Sequence, residues 1–181
     1  MPNQKSGRPE AGEFAPYAAE DIGFVPGDDA AAALEAQGQL VRREFGRLDD
    51  TAVAGVRYAA GKWTLKEILG HLVDDERIFI YRMLTVARGD GLVLPGFDEN
   101  LYVSTAGFES RPWAALLEDY RVTREGTIRF LNGLPPDAWL RRGMVNGYEA
   151  SVRGLAFHVA GHELHHLRVI EARYRPLIGS R

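Results

Sequence analysis

The chain has no cysteine among its 181 residues. That absence excludes disulfide scaffolds, thiolate metal sites and a cysteine nucleophile, so any bound metal must be held through nitrogen or oxygen. No apolar run approaches the roughly 18 residues of a membrane-spanning helix, and the opening stretch MPNQKSGRPEAGEF lacks the apolar core of a secretory signal. No membrane partner is expected, and the cytoplasm is the default location. An excess of positive charge is missing as well. A net charge of −3 with 26% charged residues provides no concentrated basic face for phosphates, so nucleic acid is not an expected partner. Internal repeats and convincing period-two strands are also lacking.

What is present suits one domain with a substantial core, since 45% of the residues are hydrophobic. Residues 1–13 read as a flexible N-terminal tail and 14–181 as the folded domain, beginning with an extended strap that packs Tyr17 and Phe24. Apolar residues at helical spacing over 29–48, including Leu34, Val41 and Phe45, predict a first long helix. The T-x-x-E pair Thr64 and Glu67 caps a second over about 65–88, stopped by Gly89. A third runs from the Ser110 cap and Pro112 to Gly133, and a fourth from the Ser151 cap to about Tyr174. The connection over 91–109 has no helical period and is long enough for a lid or pocket wall. Asn146-Gly147 marks a turn within a brief extended piece. The fold class predicted is all-α: an antiparallel four-helix bundle with long crossover connections.

Four of the five histidines stand in FHVAGHELHHLRV, residues 157–169. At about 100° per residue His162 and His166 fall within the apolar sector of the fourth helix, and their four-residue spacing lets both rings converge on one ion. His158 and His165 lie at its edge. Inward imidazoles need partners, and a cation satisfies several at once. Catalytic zinc sites combine three protein ligands with an open position, and the remaining histidine, His71, sits on an apolar stripe of the second helix. The metal-site candidates are therefore His71, His162 and His166.

His162, Glu163 and His166 also spell H-E-x-x-H. The zinc peptidases that use this motif take a further ligand downstream, but positions 169 and 172 are Val and Ala, and Glu171 projects elsewhere. A peptidase is thus disfavoured. Glu163, next to a ligand, and Asp74, three residues after His71, are candidate catalytic carboxylates; Asp75 is an alternative to Asp74 for orienting His71. Glu163 equally suits a partner for a bundle arginine, and Glu76 with Arg124 suits an interhelical ion pair. Trp63, Trp113 and Trp139 read as packing anchors.

Two motifs together, W-T-L-K-E-I-L-G-H-L-V-D over 63–74 and G-H-E-L-H-H over 161–166, resemble the DinB-like superfamily of four-helix-bundle metalloproteins. The likeness extends over most of the chain beyond the first dozen residues. It implies a divalent metal, zinc or nickel, held by three histidines matching His71, His162 and His166, and often a homodimer. It also implies an enzyme acting on a small-molecule substrate, either a hydrolase or a transferase using a low-molecular-weight thiol such as bacillithiol or mycothiol. A non-enzymatic, stress-related protein that binds metal or a small ligand is the alternative.

Overall fold

This computed structural model of the chain describes residues 6–178. Four long helices carry the body: α2 (Ala30–Phe45), α4 (Leu65–Ala87), α6 (Trp113–Asn132) and α7 (Val152–Val169). Three shorter helices join them: α1 (Ala19–Phe24), α3 (Asp50–Val53) and α5 (Glu99–Ala106). The capping signals work as predicted for α4, where Thr64 and Glu67 form a reciprocal capping box, and for α7, where the Ser151 hydroxyl accepts from Gly154 N at 2.9 Å. Ser110 does not cap α6. Its hydroxyl donates to Gly107 O, and the free amide of Trp113 donates instead to the Asp50 carboxylate at 3.0 Å, across from α3.

Side-chain contacts set the helix directions. Trp113 at the start of α6 reaches Phe45 O at the end of α2, and His71 and Phe79 of α4 meet His166 and His158 of α7, so these pairs run antiparallel. By contrast, Lys66 and Glu76 of α4 meet Arg111 and Arg124, and Gln37 and Phe45 of α2 lie level with Ala160 and Ile170. Those pairs, α4 with α6 and α2 with α7, are parallel. A parallel neighbour cannot be reached by a tight turn, which is why the chain needs the long return over 88–112.

The structure corrects several expectations around the bundle. Residues 1–5 of the expected tail lie outside the described residues, but 6–13 are fastened to the body. Arg8 donates to the carbonyls of Ile22, Val25 and Gly27 at 2.7–2.9 Å, and Glu13 is held by Arg153. The strap that follows is helical, and it buries Ala18, Ile22 and Val25 while Tyr17 stays exposed. Within the 91–109 connection, Asp98 caps the unexpected helix α5, and Gly107 ends it at φ +67°, a conformation open to glycine at little cost. A small hairpin, β1 (Arg142–Val145) and β2 (Tyr148–Ser151), turns through Asn146-Gly147, both at positive φ as a two-residue hairpin turn requires. Its outer edge takes Leu94, whose N and O both bond to it at 2.9 Å.

Apolar packing falls into two clusters. One surrounds Leu34, Met83 and Phe157; the other surrounds Leu65, Leu69, Trp113 and Tyr174. At the level between them the bundle is polar. Arg124 of α6 donates to Leu34 O of α2 at 2.8 Å, to both oxygens of Glu76 of α4, and to Glu163 of α7, which also accepts from Tyr120. One guanidinium thus ties all four long helices. The polar layer continues across α7 into the histidines.

Candidate metal centre

Because α4 and α7 are antiparallel neighbours, His71 arrives opposite the one-turn pair His162 and His166. The Nε2 atoms of His71 and His162 are 3.2 Å apart, and those of His166 and His162 are 3.1 Å apart. One ring nitrogen from each of the three lies within 4.8 Å of the others. The Trp63 ring, just before α4, closes one side of the cluster, 4.8 Å from the His71 ring and stacked on His166. The three residues proposed as a site from sequence are therefore brought together.

Asp75, one turn beyond His71, is buried and places its Oδ2 3.2 Å from His162 Nδ1. An N–H at Nδ1 donates to this carboxylate, which leaves the Nε2 lone pair of His162 aimed at the other two rings. Burial opposes protonation of His162, but the Asp75 charge outweighs it and raises the pKa. Asp75 itself is lowered, since its histidine neighbours overcome the cost of burial. Burial, reinforced by His162, pushes His71 down to about 4 and His166 to about 2. Both rings are neutral near pH 7.

Without a cation at most one of the two contacts is a full hydrogen bond, because with its proton on Nδ1 the His162 ring has a single Nε2 lone pair to offer both neighbours. The three rings do suit a cation. Metal–nitrogen bonds of about 2.0–2.1 Å put ligand nitrogens roughly 3.3–3.4 Å apart in a tetrahedron and roughly 3 Å apart at right angles. The observed 3.1 and 3.2 Å fit that range. Neutral imidazoles without thiolate suit a divalent ion of the first transition series in general and do not single one out.

Neither candidate catalytic carboxylate is available at the cluster. Asp74 lies on the α6 side of α4, 3.2 Å from Arg77 and close to Asp119 and Arg111. Helical geometry separates it from His71 and gives the orienting role to Asp75, on His162 and not on His71. Both oxygens of Glu163 are taken by Tyr120 and Arg124, in the polar layer behind the histidines. Burial raises its pKa against the pull of Arg124. The glutamate of the H-E-x-x-H match thus serves the bundle.

Two recesses flank the cluster. One of about 290 Å³ opens on His162 and is walled by Asp75, Phe79, Arg82, Phe97 and His158; the other, of about 260 Å³, opens on His166 beside Trp63 and Asn100. Phe97 and Asn100 belong to the 91–109 connection, so that segment is a pocket wall, as its length suggests. His158 borders the first recess against Phe79 and Tyr17, whereas His165 is half exposed and pairs with Asp21 at 3.2 Å. Arg82 and Phe79 were missed from sequence. Phe79 lies about two turns and Arg82 about three turns along α4 from His71, towards the same side, a periodicity that could have marked them.

A four-helix bundle with three inward histidines on two facing helices is the class of protein that fold and site together define. The chain belongs to the DinB superfamily, whose family model matches residues 32–170. The structure of YfiT from Bacillus subtilis, described as "a probable metal-dependent hydrolase with an unusual four-helix bundle topology", superposes with a TM-score of 0.72. The two share 15% identity over 82% of this chain and 85% of YfiT, so the likeness is one of fold. No curated protein matches the sequence.

Proposed function

We propose that the protein is a metal-dependent hydrolase of a small molecule, with a divalent ion held by His71, His162 and His166. The convergence of three Nε2 atoms at 3.1 and 3.2 Å, one of them oriented by Asp75, is the observation that carries this reading. A zinc-class ion supplies Lewis acidity and a water acidified to about pKa 7. The chain contributes the rest. Asp75 holds the proton on His162 Nδ1, Trp63 closes one side of the cluster, and the 290 Å³ recess at His162 is of the size that takes a small metabolite.

A second reading, transfer of a low-molecular-weight thiol such as bacillithiol or mycothiol, draws on the presence of two recesses at one cluster. Hydrolysis needs room for one organic substrate; a transfer between two molecules needs room for both. Without cysteine in the chain, the sulfur must come from solution.

The test begins with elemental analysis of wild type and His71→Ala, where the variant should lose most of its zinc or nickel. Metal-loaded protein is then assayed on ester, amide and lactam panels, with and without each thiol. Turnover lost in His162→Ala supports the enzyme, thiol-dependent turnover selects the transferase, and stoichiometric binding without turnover selects a non-enzymatic binder. A homodimer, expected from the family resemblance, is tested by light scattering of the eluted protein.

A further inference from the structure

Arg82 stands where a buried cation has no anion. Its side chain is 5% exposed. The guanidinium lies between the Phe79 and Phe97 rings, 4.9 and 5.6 Å from their centroids, and its Nη2 donates to Pro95 O at 2.8 Å. Among the described residues that is its one hydrogen bond, and no carboxylate comes within ion-pair distance of it. Arginines this deeply buried are ordinarily paired, because an isolated charge out of water is costly. Burial accordingly lowers the pKa of Arg82, and Asp75 and Tyr17 only partly offset it.

The acids near it are already engaged or distant. Asp75 is committed to His162, Asp21 pairs with His165, and Glu99 is exposed on α5. The unused N–H groups of Arg82 border the 290 Å³ recess that also opens on His162. A planar guanidinium with free donors, held rigid by two aromatic faces, matches the geometry of a carboxylate.

We propose that Arg82 is a substrate-recognition residue, and that the small molecule bound at this site carries a carboxylate that docks on Arg82 while its reacting group faces His162. The inference deepens the hydrolase reading and rests on it for the identity of the reacting end. Recognition by Arg82 has its own readout. Phe97 and Pro95 make the pocket wall from the 91–109 connection, so the same guanidinium that reads the carboxylate also holds that wall in place.

The experiment uses the full chain loaded with zinc, titrated with butyrate and benzoate, with their neutral amides, and with inorganic phosphate. Binding is followed by NMR, including the Arg82 Nε–H resonance. Carboxylates should bind roughly tenfold or more tighter than the matching amides, as expected for a charge-assisted pair, and should shift that resonance. Arg82→Met should abolish the preference and Arg82→Lys should weaken it, with zinc content unchanged in both. Should Arg82→Met fail to fold, the Arg82→Lys titration and the wild-type Nε–H shift decide the matter. The same titration of chelator-stripped wild type should keep the preference. No preference in wild type, an undiminished preference in Arg82→Met, or phosphate outcompeting both carboxylates would overturn the assignment. So would a preference that disappears with the metal but survives in Arg82→Met, since the carboxylate would then be binding the ion. If wild type holds no metal at all, the hydrolase reading falls while the Arg82 preference is still measured.

Discussion

Replacing Arg124 with methionine tests the polar layer that underlies the histidine cluster. Arg124 is 4% exposed and Glu76 and Glu163 are each 2% exposed, so the substitution leaves two carboxylates facing each other in the core without a cation. It also removes the additional bond that Leu34 O, within α2, accepts from the guanidinium at 2.8 Å. Removing one partner of a buried ion cluster typically costs about 3–5 kcal/mol. For a domain of this length that corresponds to a fall in Tm of roughly 6–20 °C. Urea unfolding at pH 8 and differential scanning calorimetry measure it.

The pH dependence supplies a second check. Glu163 has a raised pKa even with Arg124 present, and losing the guanidinium raises it further. A carboxyl whose folded pKa lies above its unfolded value binds more protons when folded, so its contribution is complete below the unfolded pKa, near 4.5, and is lost as pH climbs through the folded one. The deficit of Arg124→Met should therefore be largest near pH 8 and shrink towards pH 5. A loss below about 1 kcal/mol, or a deficit that grows on acidification, would refute the view that these three side chains form a buried charge cluster joining the helices.

Asp75→Asn should weaken zinc binding about 10- to 100-fold, as is usual when the partner of a ligating histidine is altered; competition with a chromophoric chelator gives the number, and unaltered affinity would count against the Asp75–His162 hydrogen bond. A Cβ on Gly161 would run into the backbone of Asp21 and Ile22, so Gly161→Ala should destabilise the protein by about 1–3 kcal/mol and disturb His162, its neighbour in sequence, which isothermal metal titration would register. Although burial opposes it, Arg153 holds the Glu13 carboxyl below its usual value. That contribution is present above the unfolded pKa near 4.5 and lost as pH falls through the folded value, so Glu13→Gln should lower stability at pH 7 while converging on wild type in acid. Equal acid sensitivity of the two proteins in urea titrations would argue against the Glu13–Arg153 anchor.

Local chemistry was legible from residues close together in the chain. Thr64 with Glu67, Ser151, and Asn146-Gly147 each act within four residues, and the structure uses each as read. The same holds for the inward face of the last helix, because the 3.6-residue period puts His162 and His166 in one sector whatever the helix packs against. Elements whose partners lie far away in sequence were misread. The α6 amide found its acceptor in Asp50 rather than Ser110, and the N-terminal residues from 6 onward, which have little core-forming character of their own, are held by Arg8 and by Arg153. Helix α5 has a weak apolar face and is placed by its Asp98 cap and by the wall it completes.

Sequence alone determined that metal ligands here must be imidazole or oxygen, that four helices form, and that His71, His162 and His166 can look inward, since composition and periodicity are properties of a chain before it folds. Tertiary structure decided which carboxylate serves which histidine, that Glu163 belongs to Arg124, and that Arg82 stands uncompensated beside the recess. Those outcomes depend on which helices are neighbours and on which of them run parallel, and a one-residue step along a helix, about 100° of rotation, is enough to send Asp74 to the α6 side and Asp75 to the site.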